Sequence, residues 1–345
     1  MAQDWPLLYH VLDDFSEPWR AEPAPAVLLH HGLAGNGNLF RAWVPSFANR
    51  YRVLRIDARG QGRSPLPDGY AFSLDGFVND TLAVMDHLSI QRAHWIGTSG
   101  GGIIGQHAAV VAPARFASLT LVATTARFRG PAIGVDQWLA PLDRGDTDEF
   151  FRQDIVTRFG LEAPERADWI INEIQRTPPE TIAALHRWVV GVDLSEAIRA
   201  ITCPALIVTG EHDTLMDMSD AQLLADRIPN ARIHVVEGHP HNVGYTHPAL
   251  VGGVVRRFID SVEDGTATGD ASSGAAYLSA SGAPDVTAEE ARTIGALSGL
   301  DLSGDRARQL AGTLSAFLGQ QERLRALDTG DREPAVMTFE SEQST

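Results

Sequence analysis

The sequence predicts an α/β protein: a mostly parallel sheet covered by helices, interrupted by a helical insert. Three observations predict it. Short runs rich in Val, Ile and Leu recur between residues 27 and 236, each ending in Gly, Asp or polar residues. Longer stretches with helical apolar periodicity lie between them. The alternation stops between about residues 126 and 200, where no such short run occurs. Strand–helix alternation of this kind builds a parallel sheet with helices on both faces.

The elements follow in order. Residues 7–12 read as an edge strand. Residues 27–30, 53–56, 94–96, 119–123, 205–209 and 233–236 read as buried strands. A helix over 74–88 places Phe77, Val78, Leu82, Met85 and Leu88 on one face, and one over 101–111 stops before Pro113. Within the break, 148–159, 164–175 and 179–191 read as helices, with Pro179 suited to a first helical turn. The chain thus divides into a core over 1–125 and 201–262, with a helical cap over 126–200. The cap is rich in rings. Most such rings pack an insert onto its core; Trp138, Phe159, Trp169 and Trp188 are the candidate substrate-binding residues of a pocket between cap and core. Residues 263–286 are small and polar and read as a linker. A helical extension over 287–345 follows, with helices near 287–298 and 303–327. Thr287 and Glu290 have capping-box spacing there, and Leu310, Leu314 and Leu324 lie on an apolar stripe.

Composition excludes several functions. The 345 residues carry 28 basic and 44 acidic side chains, a formal net charge of −16, and all basic residues are Arg. From Val262 onward there are fourteen acidic residues and six Arg, so half of that excess sits in the last quarter. A chain this acidic, without a basic block, is not expected to bind nucleic acid. Without Lys there is no Walker A loop, Schiff base or Ser-Lys dyad. The single cysteine, Cys203, excludes an intramolecular disulfide or a Cys-rich zinc site. No apolar run reaches the roughly 18 residues of a membrane span, and Asp4 stands where a secretory signal carries positive charge. A cytoplasmic protein is expected.

Gly97-Thr98-Ser99-Gly100-Gly101 matches G-x-S-x-G and lies between a strand and a helix candidate. A nucleophile elbow needs that location, because the sharp turn lifts Ser Oγ above the sheet edge. Serine is a weak nucleophile and needs a neighbouring base. His239 and His241, both just beyond the last strand, compete for that role. Asp213 follows the strand over 205–209 and is best placed to orient the base, with Glu211 and Asp217 in reserve. The backbone N–H of Gly100 and that of Leu33, in the loop after the first core strand, are the candidate oxyanion donors. His31 is expected to shape that loop. Arg127 and Arg129, just past a strand end, are candidates for a substrate carboxylate.

These residues resemble the α/β-hydrolase family, in the branch of 3-oxoadipate enol-lactonases, small esterases and related hydrolases with a helical cap. The resemblance covers about residues 7–262. It includes His31-Gly32, the run from Asp57 to Ser64, the elbow at Ser99, and Cys203-Pro204 ahead of Gly210 and Asp213. The family's last motif, Gly-x-x-His with Pro seven residues on, fits Gly238, His241 and Pro248, and so implies His241 as the base. The resemblance also implies that Asp57 and Arg59 brace loops. Two positions depart from it. Gly100 stands where relatives often carry Met or a larger side chain, which implies more room beside the oxyanion hole. Thr246 stands where an acidic residue often follows the catalytic His. The serine argues against the epoxide hydrolase and haloalkane dehalogenase branches, which use Asp there. The extension resembles, loosely, the small stabilising subunits of amidase-signature enzymes over about 285–340, which implies an amidase partner; a self-packing or dimerising hairpin is the alternative.

The expected protein is a serine hydrolase of a small carboxylic ester or lactone, with a Ser99-His241-Asp213 triad and an acyl-enzyme. It needs no metal or organic cofactor; the spacing of His239, His241 and His247 matches no helix-borne ligand pair. The alternatives are an amide or ureido hydrolase of nitrogen-heterocycle breakdown, a cofactor-free haloperoxidase, and a hydrolase-derived assembly protein for an amidase.

Overall fold

A computed structural model describes residues 6–17, 19, 21–130, 133–152, 158–159 and 164–266. The expected helical extension over 287–345, and all of the linker beyond 266, lie outside the described residues. Seven strands form one sheet: β1 (His10–Asp13), β2 (Ala26–His30), β3 (Arg52–Ile56), β4 (Ala93–Thr98), β5 (Phe116–Val122), β6 (Ala205–Gly210) and β7 (Ala231–Val236). Their order is β1-β3-β2-β4-β5-β6-β7. β1 runs antiparallel to β3, and every other pairing is parallel. The sheet is therefore the mostly parallel one expected, with its antiparallel strand at the edge.

The central strands are buried along their whole length, as strands covered on both faces must be. Alternate residues serve opposite faces. Val27, Leu29, Val53, Ile96 and Val208 join Trp43, Phe47 and Phe258 in one cluster. Leu28, Leu54, Trp95, Leu119 and Ile207 join the other, which also takes in Trp138, Phe150, Phe151 and Phe159 of the insert. Most rings of the insert thus belong to the core on that face of the sheet.

The helices are α1 (Val44–Phe47), α2 (Leu74–His87), α3 (Gly100–Val111), α4 (Val135–Asp143), α5 (Thr147–Arg152), α6 (Pro164–Ile174), α7 (Pro179–Val189), α8 (Met218–Arg227), α9 (Val243–Thr246) and α10 (Pro248–Glu263). Ser73 caps α2 by accepting the Gly76 N–H at 3.0 Å. The helix α4 is not legible in the sequence, since Pro141 sits inside it. The ends of the insert meet. Leu194 N–H donates to Ala126 O at 2.8 Å, and Arg127 pairs with Asp193 in an isolated antiparallel bridge. Among the described residues, no helix is long and apolar enough to cross a membrane.

Candidate active site

The elbow is built by strain and by missing side chains. Ser99 sits between β4 and α3 with φ +49° and ψ −116°, a backbone conformation unusual for a non-glycine residue. Its N–H donates to Val122 O at 2.9 Å, and its carbonyl accepts from Thr124 Oγ1 at 2.6 Å. The turn needs glycine on both sides. A Cβ on Gly97 would collide with the Gly101 carbonyl, and one on Gly101 with the carbonyls of His30 and His31. The helix α3 starts at once, so its free N-terminal amides lie next to the serine.

The expected acid and base, Asp213 and His241, lie 28 residues apart in sequence and meet in the structure. His241 Nδ1 donates to Asp213 Oδ2 at 2.8 Å, and both side chains are buried. The other Asp213 oxygen accepts the N–H groups of Leu215 and Met216, each at 2.9 Å. The carboxylate is thus held as an acceptor on both oxygens, which assigns the Nδ1–H tautomer to His241 and leaves Nε2 as the lone-pair nitrogen. His241 and Ser99 line one cavity. The competing residues have other work. His239 Nδ1 bonds its own loop at Glu237 O, at 2.5 Å. Glu211 accepts the Gly238 N–H at 2.9 Å, and Asp217 caps α8 through the Ser219 and Asp220 amides.

The loop after β2 is rigid for reasons that can be named. His31 donates through Nδ1 to Gly32 O at 2.7 Å and accepts the Ala58 N–H on Nε2 at 2.9 Å. Burial lowers its pKa, so it stays neutral and keeps both bonds. Gln61 Oε1 accepts the Ala34 N–H at 2.6 Å. Asp57 accepts the Gly37 and Arg63 amides at 2.7 and 2.8 Å, and Arg59 pairs with Asp80 at 2.6 Å. Gly100 does not open extra room, which corrects the expectation drawn from its lack of a side chain. Leu33 fills that space: a Cβ on Gly100 would lie 2.6 Å from Leu33 Cγ. The same Cβ position is 3.1 Å from Leu33 N, so the two candidate donor residues sit side by side.

Sequence reasoning missed Tyr245. Its buried hydroxyl accepts the Gly32 N–H at 3.0 Å, its ring lies 5.4 Å from Phe40, and it lines the cavity. Burial pushes its pKa up to about 12, so it remains a phenol. It ties the loop after β2 to the segment that follows His241. The available signal is its place four residues after the histidine, on the short helix α9 that follows it.

The cavity encloses about 700 Å³ of empty space, counting its opening to solvent. Of the four expected substrate-binding rings, Trp138 lines it. Phe159 is buried in the core cluster. Trp188 packs on Phe77 with ring centroids 5.2 Å apart, and Trp169 is 37% exposed on the outer side of α6. Neither Phe159, Trp169 nor Trp188 is among the described lining residues, which include Phe151, Arg158 and His186 instead. Helix periodicity locates a ring on a face but not which face meets the cavity. Arg127 pairs with Asp193 at the base of the insert, 3.5 Å apart and half exposed, and does not line the cavity.

Residues 25–248 match the family described as the alpha/beta hydrolase fold. The chain belongs to the α/β-hydrolase family. Its curated relatives are named hydrolases. It is 27% identical over 247 residues to 3-oxoadipate enol-lactonase 2 of Acinetobacter baylyi, covering 68% of this chain and 90% of that one. It is 30% identical over 254 residues to a pimeloyl-[acyl-carrier protein] methyl ester esterase of Aeromonas hydrophila, covering 68% and 95%. A putative carbamate hydrolase RutD of Stutzerimonas stutzeri is 27% identical over 254 residues, covering 66% and 90%. The crystal structure of the enol-lactonase from Burkholderia xenovorans LB400 superposes with a TM-score of 0.67 at 24% identity, covering 73% of this chain and 96% of that one. This α/β-hydrolase is accordingly an enzyme of the hydrolase class, and small ester or lactone substrates fit its relatives.

Proposed function

We propose that this α/β-hydrolase cleaves a small carboxylic ester or lactone through Ser99, His241 and Asp213. The observation that carries the reading is the buried His241–Asp213 bond of 2.8 Å, opening on the same cavity as a serine at φ +49°. Ser99 Oγ attacks the substrate carbonyl while His241 Nε2 takes its proton. Asp213 keeps the Nδ1–H in place and stabilises the imidazolium that forms. The amides of Gly100 and Leu33 hold the oxyanion. His241 then protonates the leaving alcohol oxygen, which in a lactone stays tethered to the acyl group. Water, deprotonated by the same nitrogen, hydrolyses the acyl-enzyme. The names of the lactonase and esterase relatives support this substrate class. The carbamate hydrolase relative favours a second reading, a carbamate or related C–N substrate on the same residues. The expected extension over 287–345 leaves a third proposal, docking to an amidase-type partner.

Fluorophosphonate labelling, read by intact mass beside p-nitrophenyl acetate turnover, tests the mechanism. One adduct on the wild type is expected, none on Ser99→Ala, and slow labelling of His241→Ala. Equal labelling of the wild type and Ser99→Ala would place the nucleophile elsewhere.

A further inference from the structure

The loop after β2 is held from the insert as well as from the core. Residues 32–35 form a turn closed by the Gly35 N–H on Gly32 O at 3.0 Å. Leu33 and Ala34 are its central pair. Ala34 sits at φ +66°, in the left-handed region that such a turn usually gives to glycine. A conformation of this kind persists where the surroundings hold it. The core supplies one hold: Gln61 Oε1 accepts the Ala34 N–H at 2.6 Å. The insert supplies the other. The Thr177 hydroxyl donates to Ala34 O at 3.2 Å and accepts the Gly62 N–H at 3.1 Å.

A second tie lies two residues further along the loop. The Asn36 side-chain amide donates to Glu173 O at 3.0 Å and to Glu173 Oε2 at 3.3 Å, while its Oδ1 accepts the Asn38 N–H at 2.9 Å. Asn36, Glu173 and Thr177 are all buried. Water therefore does not replace a lost partner there, and the groups left behind carry the full cost of desolvation. Between the two tying residues stands Ile174, which lines the cavity together with Leu33 and Ser99. The C-terminal end of α6 and the turn after it thus meet both the cavity and the loop that carries the Leu33 amide. A tie that only fastened the insert to its core could sit anywhere along their boundary. These bonds converge on the carbonyl of the strained residue next to Leu33 and on Asn36, three residues past it.

We propose that Thr177 and Glu173 are positioning residues for the Leu33 amide, so that the insert sets the rate of the chemical step as well as lining the cavity. The proposal rests on the serine-hydrolase reading above, in which that amide holds the oxyanion.

The test runs on the full chain with p-nitrophenyl acetate and two ketone inhibitors. Phenethyl trifluoromethyl ketone forms a hemiketal: the Ser99 Oγ–carbon bond forms, the hydroxyl proton passes to His241, and the carbonyl oxygen becomes an oxyanion that needs the Leu33 amide. Phenethyl methyl ketone stays a ketone and needs it far less. Thr177→Val keeps the side-chain shape and removes both hydroxyl bonds. It should lower kcat/KM about tenfold and weaken the trifluoromethyl ketone by a similar factor, with methyl ketone inhibition within about twofold of the wild type. Thr177→Ser, which keeps the hydroxyl, should recover most of both losses. Asn36→Ala cuts the second tie, should act in the same direction, and carries the test if Thr177→Val does not fold. A lower Tm with kcat/KM and trifluoromethyl ketone affinity unchanged would overturn the proposal and leave a tie that only fastens the insert. Equal weakening of both ketones would overturn it too, since the loss would then lie in ground-state binding. Failure of the serine reading looks different: the wild type itself would give no fluorophosphonate adduct and no ester turnover, which removes the proposal together with that reading.

Discussion

Two regions build the one cavity, and they place their residues in different ways. At the carboxyl edge of the sheet the backbone does the placing. Ser99 is held at φ +49° by a turn that tolerates only glycine at positions 97 and 101, and Asp213 is locked by two amides and one imidazole. In the helical insert, side-chain packing does the placing. Trp138 is there because its ring meets Phe128, Phe150 and His186, and Arg158 because three rings surround it. The first arrangement is stiff and leaves sequence signatures. The second can be repacked, which suits a region expected to contact substrate.

Five substitutions break or sharpen that contrast. The largest effect belongs to the sheet edge. Asp213→Asn should cut kcat on p-nitrophenyl acetate by roughly 10⁴-fold with little change in fold, because it favours the wrong His241 tautomer. Kinetics alongside circular dichroism check it; a drop below tenfold would remove Asp213 from the mechanism.

Next come two glycines. Gly101→Ala drives a methyl into the His30 and His31 carbonyls, and its cost should reach about 4 kcal/mol. That lowers Tm by roughly 8–16 °C. Gly191→Ala, in the insert, meets only Trp188 O at 3.8 Å and should stay within about 0.5 kcal/mol. Calorimetric scans of both variants decide; equal losses would erase the contrast between regions.

Tyr245→Phe keeps the ring against Phe40 and leaves the buried Gly32 N–H without its acceptor. A loss of about 1–3 kcal/mol is expected, expressed as a roughly tenfold lower kcat with KM little changed. Steady-state kinetics would show a purely packing role if kcat were unaffected.

The smallest effect is on pH dependence. His186 in the insert has a folded pKa of about 4 against an unfolded value near 6.5, and burial is the main cause. Between those values the unfolded chain binds a proton that the folded one does not. Stability is therefore complete above about pH 6.5 and declines as pH falls toward 4. His30, at about 3 and stacked on Trp95 in the sheet region, adds a loss of the same sign. Tm should be flat from pH 8 to 7 and fall below 6.5. His186→Leu should make that fall shallower; an unchanged slope would assign it to the sheet region alone.

Much of this site was legible in one dimension because its demands are local. The elbow has to read G-x-S-x-G wherever a strand turns sharply into a helix, and a loop carboxylate and histidine must follow successive strand ends. The parallel strands were legible because burial on both faces makes each a short continuous apolar run. Other features left no such mark. Pro141 hides α4, since proline inside a helix reads as a stop. Gly100 read as open space, and only the neighbouring fold of Leu33 shows that it is filled. Trp169 and Trp138 have the same chemistry in sequence, yet one faces solvent and the other faces the cavity.

What the sequence by itself determined was the α/β class, the elbow serine and the strand-end positions of Asp213 and His241, because backbone geometry restricts the residue types allowed at each. Only the tertiary structure decided which rings meet the cavity, that Tyr245 braces the loop after β2, and that Arg158 lines the same cavity as Ser99. The Tyr245–Gly32 bond alone joins residues 213 positions apart, and such placements arise from how helices pack on a sheet. Packing direction depends on every neighbouring side chain at once, so no local pattern encodes it.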